Sequence, residues 1–318
     1  MKILIQMDDI FSINVASDST YKIMLAGQNK GHEIFYYSPA DLQYHSHGQH
    51  LKAKISKVKL EINSKNYCQI IEQSEKNLND FDVILIRQDP PYNMNYLTTT
   101  YLLEKLQKKV LILNHPQEIR NCPEKIFVTE FENLTPPTLI SSDFLAIKKF
   151  HLEYKKIIVK PLYACGGEGV VMLDEDSPNL MAIVELMLKN YQAPIIAQKF
   201  LEAVKDGDKR LILIDGEFAG GITRIAKKGE IRSNLHIGGS AEKLIPSARD
   251  LEICKIISSQ LKQRNLFFVG IDIIGDYLTE INVTSPTGIS EINKLANIDI
   301  AEIFINKLQE KLVKFKQL

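Results

Sequence analysis

The chain has 318 residues, 45% of them hydrophobic, and its 39 Lys plus Arg match its 39 Asp plus Glu, for a formal net charge of zero. That length suits two or three domains with full apolar cores. A neutral balance argues against a nucleic acid or a membrane surface as partner, because both draw affinity from a basic excess. No apolar run approaches the roughly 20 residues needed to cross a bilayer. The start, Met1 to Asp8, meets acids at once and lacks the long apolar segment and cleavage site of a signal peptide. Cys68, Cys122, Cys165 and Cys254 show no paired spacing, which fits reduced thiols in the cytoplasm rather than disulfides or a zinc site.

The first third alternates strand and helix. Ile3–Met7 reads as a strand, and Ser19–Lys30 as a helix capped by Asp18 or Ser19 and stopped by Gly31. Glu33–Tyr37 is a second strand, and Tyr44–Leu60 reads as a hairpin turning near Gly48. Asp82–Arg87 is an apolar strand, Tyr96–Lys108 a helix and Val110–Asn114 another strand. This alternation predicts a mainly parallel, doubly wound sheet, whose ligands bind at the carboxyl ends of strands. Arg87 stands at such an end. It is either a ligand contact or a surface ion pair with Asp89.

From about residue 121 the pattern changes. Pro123 opens a helix and Pro136-Pro137 breaks it. Strands follow at Ile157–Lys160, Val170–Leu173 and Ile195–Phe200, with a helix across Asn179–Asn190. The last third holds a hairpin of Arg210–Asp215 and Glu217–Ile225 turned at Asp215-Gly216, then helices at Ala248–Arg264 and about Asp299–Phe315. Domain boundaries are expected near 120 and 200, giving units 1–120, 121–200 and 201–318.

The stretch from Phe268 to Pro286 carries the most chemistry. It reads as a hairpin turned at Gly275-Asp276. Glu280 and Asn282 are two apart and share a strand face. If the loop is three residues long, Asp272 lies opposite Glu280. Three oxygen-bearing side chains would then converge, and buried carboxylates need such company. Hard oxygens suit Mg²⁺, which also takes substrate phosphates as ligands. A hairpin with one solvated face is the plain alternative, against which Phe267, Val269, Ile271, Ile273 and Ile281 argue for a buried side.

Lys160 to Gly169 lies between two strands, with glycines at 166, 167 and 169. Glycines let backbone N–H groups approach an anion. A strand follows, so this is neither a dinucleotide fingerprint nor a Walker A loop. It is a glycine turn over a nucleotide or a flexible hairpin tip. Lys125 and Lys160 sit among apolar residues, and a phosphate would offset the cost of Lys160, which otherwise snorkels. The strand through Gln198, Lys199, Phe200 and Leu201 could read an adenine edge with its backbone. Asp206 to Arg210 precedes an alternating strand on which Arg210 points away from Leu211 and Leu213. Arg224 and Arg232 flank a loop. Cations near a magnesium patch suit phosphoryl transfer; read plainly, they are surface charges. The run Tyr44 to His50 resembles a metal cluster but lies on an exposed turn without a carboxylate. Cys165 has no histidine beside it in sequence to make it a nucleophile.

Taken in order, Asn121-Cys122-x-Glu124-Lys125, Lys160-Pro161-Leu162 with its Gly-Gly loop, Asp206-Gly207-Asp208-Lys209-Arg210, Gly270-x-Asp272-x-Ile274-Gly275 and Thr279 through Thr287 resemble the bacterial glutathione synthetase family, of the ATP-grasp fold. Met7-Asp8 and Arg87-x-Asp89-Pro90-Pro91 extend the resemblance over nearly the whole chain. It implies an α/β fold, α+β in its C-terminal part: an N-terminal doubly wound parallel sheet followed by two lobes enclosing ATP. It implies ATP contacts from Lys125, Lys160, Gly166, Gly167, Gln198, Lys199, Phe200, Leu201 and Asp208. Asp272, Glu280 and Asn282 would hold Mg²⁺ or Mn²⁺. Arg210, Arg224 and Arg232 would serve catalysis, and Arg87, Asn282, Ser285 and Thr287 would contact the dipeptide. Residues 225–239 would form a closing loop.

The implied reaction joins γ-glutamylcysteine to glycine through an acyl phosphate, in a cytoplasmic homo-oligomer, tetramer or dimer. Two departures stand out. Tyr163-Ala164 replaces the family's usual Asp-Gly, and Ala164 is less free than glycine to take a positive φ. Ser290 stands where the family often has Arg. Three rivals are another ATP-grasp ligase with a different acceptor, a nucleotide-binding protein without turnover, and a Rossmann dehydrogenase. The last lacks Gly-x-Gly-x-x-Gly after its first strand.

Overall fold

The computed structural model describes residues 1–48, 50–62, 66–235 and 238–317. Among them, the first sheet holds β1 (Lys2–Gln6), β2 (Glu33–Tyr37), β3 (Gln43–His45), β4 (His50–Leu60), β5 (Cys68–Asn77), β6 (Val83–Ile86) and β7 (Leu111–Leu113). β1 lies between β2 and β6, parallel to both, and β7 continues the parallel set. Beyond β2, the strands β3, β4 and β5 add an antiparallel ribbon. Helix α1 (Ser19–Asn29) covers one face; Asp18 caps it by accepting from the Tyr21 N–H at 2.6 Å. Helices α2 (Met94–Glu104) and α3 (Pro116–Asn121) cover the other, with Tyr96, Leu103 and Ile119 in that core. The doubly wound expectation is met, although β5 is an addition to it.

Helix α4 (Glu124–Phe127) is short and opens at Pro123. The second sheet is antiparallel and built from β8 (Thr138–Ser141), β9 (Ile157–Pro161), β10 (Val171–Leu173) and β11 (Ile195–Lys199), in the order β10-β9-β11-β8. Helices α5 (Phe144–Tyr154) and α6 (Leu180–Tyr191) pack on it through Ile147, Val184 and Met187. β8 and α5 are elements the sequence reading lacks.

The third sheet, also antiparallel, runs β14-β13-β12-β15-β16 through β12 (Asp208–Ile214), β13 (Glu217–Ile225), β14 (Ser240–Lys243), β15 (Phe268–Ile274) and β16 (Tyr277–Asn282). Asp215 and Gly216, at φ +50° and +74°, make the tight turn between β12 and β13. Along one face Leu211, Leu213, Ile271, Ile273 and Ile281 bury against α7 (Ala248–Gln263). Cys122, Phe127, Phe131 and Leu134 join this core, so residues 122–134 pack on the third sheet and not on the second.

The opposite face divides. Ile212, Ile214, Ile222 and Phe268 enter the core shared with α1, α8 (Ile289–Ala296) and α9 (Ile300–Phe315). The remainder of that face carries Asp208, Arg210, Arg224, Asp272, Glu280 and Asn282. Strand alternation therefore puts an apolar anchor and a polar wall on one surface. No helix is long and apolar enough to cross a membrane among the described residues.

Candidate active site

The metal-type hairpin forms by a different device from the one expected. The turn is two residues, with Ile274 paired to Tyr277 and Ile273 to Leu278. A bulge between Asp272 and Ile273 then shifts the register by one and sets Asp272 opposite Glu280. Thr279 is the extra residue, and its hydroxyl donates to the Asp272 carbonyl at 3.1 Å. Asn282 pairs with Gly270, whose missing side chain lets Pro286 and Arg210 pack closely there: a Cβ would lie 3.0 Å from the Pro286 Cβ and 3.4 Å from the Arg210 Cδ.

Around Asp272 the charges interlock. Arg210 Nε and Nη2 donate to its two oxygens at 2.5 and 2.9 Å, and Arg224 Nη2 lies 3.0 Å from Oδ2. Arg224 also pairs with Asp208, whose Oδ2 accepts from Ser233 Oγ at 3.0 Å. Burial alone would push the Asp272 carboxyl up, but the two guanidiniums outweigh it and hold the group well below the usual carboxylate range. Asp208 goes the other way: burial lifts it, against the pull of Arg224.

Glu280 answers to the lysines. Lys160 Nζ is 3.5 Å and Lys125 Nζ 3.8 Å from its Oε1. Burial raises this carboxyl, yet Lys125 and then Lys160 bring it below its ordinary value. Lys125 also pairs with Glu124 and donates to the Ala164 carbonyl at 2.6 Å. Burial and the Glu280 charge push Glu124 up. Lys125 and Lys160 face Glu280 and Glu124 at the cleft wall, where their ammoniums can also take a polyphosphate as partner.

The glycine loop follows β9. Gly166, Gly167 and Gly169 all have positive φ, +66°, +82° and +67°, and Arg232 Nη1 donates to the Gly167 carbonyl at 3.2 Å. Ala164 is absent from the positive-φ residues, so its side chain imposes no strain. Of the expected closing loop 225–239, His236 and Ile237 lie outside the described residues.

At the strand expected to read adenine, Gln198 Nε2 donates to Thr138 Oγ1 at 2.8 Å, and the Lys199 N–H donates to the Pro137 carbonyl at 2.9 Å. Pro137 has no N–H to return to the Lys199 carbonyl across from it, which leaves that carbonyl open to another donor. Phe200 and Leu201 line the same cleft.

The far end of the cleft belongs to Arg87. The side chain is 5% exposed, so the surface ion-pair reading is corrected. Nε donates to Thr20 Oγ1 at 3.0 Å, Nη2 to the Pro286 carbonyl at 3.1 Å, and the guanidinium lies over the Phe268 ring at 5.3 Å. Nη1 is buried with no partner. Ser285 Oγ donates to the Arg87 carbonyl at 3.3 Å, and Thr287 and Asp89 also line the cleft. Asn114 escaped the sequence reading. Its amide donates to the Phe268 and Val283 carbonyls at 2.8 and 2.7 Å and accepts from the Phe268 N–H at 2.8 Å, tying the first sheet to the third. No periodicity marks such a residue.

The site residues expected from the sequence all line one cleft of about 810 Å³, within the range of small-molecule sites. The donor set fits a hard divalent cation: two carboxylates and the Asn282 amide, whose oxygen is the ligand type, share a face, while the buried and unpartnered Asn282 Nδ2 is a free donor for an oxygen of a bound ligand. Elsewhere the candidates fall away. His50 shares a hydrogen bond with Asn77 at 3.2 Å, and among the described residues no group of three His, Cys, Asp or Glu is placed to hold a metal. Gln49, in that histidine run, lies outside the described residues. Partial desolvation at the cleft wall and then Glu124 raise the thiol of Cys165, a residue exposed on the loop, the reverse of what an activated nucleophile needs.

The architecture is shared with D-cycloserine synthetase DcsG, at a TM-score of 0.68 and 15% identity, covering 98% of this chain and 99% of that one. It is shared as well with the ATP-grasp ligase PsnB, solved with a minimal precursor, Mg and ADP, at a TM-score of 0.62 and 16% identity, covering 100% and 98%. Fold and site together define an ATP-dependent ligase of the ATP-grasp class. The models of the prokaryotic glutathione synthetase N-terminal domain and ATP-grasp domain match residues 1–120 and 124–297. The glutathione synthetase of Mesorhizobium japonicum is 43% identical over 311 residues, covering 98% of this chain and 99% of the relative. That of Buchnera aphidicola subsp. Schizaphis graminum is 40% identical, covering 99% and 98%. The chain belongs to the prokaryotic glutathione synthetase family.

Proposed function

We propose that the protein joins γ-L-glutamyl-L-cysteine to glycine with ATP, yielding glutathione, ADP and phosphate. The observation that carries this reading is the continuity of one cleft from the Lys125–Lys160–Glu280 cluster to the unpaired Arg87 Nη1. One end suits a polyphosphate and the other a carboxylate. Family membership supplies the identity of the substrates.

In this reading Lys125 and Lys160 bind the nucleotide phosphates under Gly166 and Gly167. Gln198, Lys199, Phe200 and Leu201 surround adenine, with the open Lys199 carbonyl accepting from its amino group. Asp208 orients Arg224. Asp272, Glu280 and Asn282 would hold Mg²⁺, and the same oxygens suit Mn²⁺. Bound there, the cation would neutralise phosphate charge.

The dipeptide's cysteinyl carboxylate attacks the γ-phosphorus and ADP departs. The glycine amine then attacks the acyl carbon and phosphate leaves. Arg210 uses Nε and Nη2 on Asp272, which fixes the guanidinium and leaves Nη1 for a phosphoryl or tetrahedral oxygen. Arg224 supports it through the shared Asp272, and Arg232 closes over the site through Gly167. Arg87 orients the dipeptide with Ser285 and Thr287. No side-chain nucleophile is required; positioning and fixed charge do the chemistry.

The reading divides the chain into a substrate-binding unit at 1–120, a lid at 121–200 and a catalytic unit at 201–318. The fold supports it with one sheet in each, although residues 122–134 pack on the last. It also carries cytoplasmic operation as a homo-oligomer on small-molecule substrates, without nucleic acid, which the balanced charge favours.

The test is phosphate release from ATP and Mg²⁺ with γ-glutamylcysteine, with and without glycine, and chromatography of the product. Release that requires both substrates and yields glutathione supports the reading. Release with the dipeptide but with another amine in place of glycine would replace the acceptor, and no release with any acid would overturn the reading.

A further inference from the structure

The glycine loop is tied down by a contact that the proposed chemistry leaves unused. Tyr163 stacks on Tyr92 with ring centroids 6.2 Å apart and planes 19° from parallel. Tyr92 belongs to the first domain and is well fixed. Its hydroxyl lies 3.3 and 3.2 Å from the Ile119 and Arg120 carbonyls, and its ring packs at 5.6 Å on the buried Tyr96. Tyr163 itself is 45% exposed, so its ring is no part of a core. The next residue, Ala164, gives its carbonyl to Lys125 Nζ at 2.6 Å. On the other side of the loop, Gly167 is held by Arg232.

From this geometry we infer that Tyr163 is a positioning residue: its stack on Tyr92 latches the glycine loop across the cleft and keeps the Ala164 carbonyl against Lys125. Three glycines with positive φ give the free loop many conformers, and a fixed contact at its start reduces the ordering that a ligand must bring about. Offset aromatic pairs supply a bias of useful size without rigid burial. The placement over a nucleotide rests on the proposed function; the latch itself does not.

Cys165, two residues on, is exposed, whereas Cys68, Cys122 and Cys254 are buried. Its alkylation by iodoacetamide in the full-length protein, without substrates, therefore reads the loop directly. Tyr163→Ala is expected to react roughly 2- to 10-fold faster than wild type, and Tyr163→Phe, which keeps the stack, at the wild-type rate. In the ATP-dependent assay, Tyr163→Ala should raise the KM for ATP by a similar factor with kcat within about twofold, and Tyr163→Phe should restore it. Equal alkylation rates in wild type and Tyr163→Ala overturn the latch. So does a Tyr163→Phe protein that behaves like Tyr163→Ala. An unmoved KM for ATP overturns its placement over the nucleotide. A wild-type protein without turnover counts against the ligase reading alone, because the alkylation comparison still stands.

Discussion

Asp272 faces Glu280 across the β15–β16 pair because Thr279 is bulged out of register between them. Without that bulge, the two-residue turn would pair Asp272 with Thr279 and send Glu280 to the apolar face under α7. One extra residue thus decides whether two carboxylates share a wall. Their partners differ: two guanidiniums surround Asp272 and two ammoniums approach Glu280. The two acids are accordingly expected to fail differently when altered.

Glu280→Gln keeps the shape and removes the charge. Lys125 and Lys160 then lose their shared counter-charge, and the proposed cation loses a ligand. Activity is expected to fall roughly 100-fold or more, on the scale of losing one preorganised electrostatic contact. The midpoint for Mg²⁺ should rise as well. Phosphate release measured over a magnesium series checks this, with circular dichroism confirming the fold. Wild-type turnover at low magnesium would remove Glu280 from the metal site.

Asp272→Asn acts first on stability. It leaves Arg210 without its carboxylate and Arg224 with Asp208 alone, and breaking a buried pair in this way costs about 3–5 kcal/mol at pH 7. The pH dependence has a definite sign. Burial raises the Asp272 carboxyl, but Arg210 and Arg224 prevail and hold it below its ordinary value when folded. Its stabilisation is complete above the unfolded value of about 3.9 and is lost as pH falls toward the lower folded value. Denaturant unfolding at pH 7, 5 and 3.5 should show a constant gap between variant and wild type at the first two and a narrower one at the last. A gap independent of pH would mean that Asp272 stabilises by shape and not by charge.

Much of this site is legible in the sequence because chemistry and periodicity coincide there. Glu280 and Asn282 alternate with Ile281, and Arg210 alternates with Leu211, so each polar residue reveals its face. What is not legible has no such contrast. β5 is exposed along most of its length, and its residues, Cys68 to Asn77, lack a repeating apolar position. α5 turns Ile147 and His151 inward but leaves Leu145 and Leu152 exposed, so packing rather than pattern defines it. The register of the hairpin is open for the same reason: a bulge depends on Thr279 meeting the Asp272 carbonyl, and no spacing encodes that. Arg87 can be placed at a strand end, but its burial follows from Thr20, Phe268 and Pro286, which are distant in sequence.

Gly167→Ala tests the glycine loop. Its φ of +82° is costly for alanine, and a Cβ there would lie 2.7 Å from Asn234 Oδ1. The left-handed backbone alone costs roughly 1–2 kcal/mol. The closed loop is therefore disfavoured by about tenfold, and the KM for ATP is expected to rise by about that factor with little change in melting temperature. Initial rates over an ATP series decide the point. An unchanged KM would mean that the loop does not cover the nucleotide.

Arg87→Lys separates binding from architecture. Arg87 makes two hydrogen bonds to the protein, through Nε to Thr20 and Nη2 to Pro286, while Nη1 stays buried and unpaired. Lysine cannot reproduce that fork, since one ammonium replaces three nitrogens and lacks the planar face that lies over Phe268. If Nη1 receives a dipeptide carboxylate, the KM for γ-glutamylcysteine should rise about 100-fold, the scale of losing one partner of a buried charge pair. The KM for ATP should stay within about twofold, because Lys125 and Lys160 are untouched. Velocities with each substrate varied at saturating levels of the others separate the two. If both constants rise together while the protein melts earlier, Arg87 is a strut between β6 and the segment after β16, and the dipeptide carboxylate binds elsewhere in the cleft.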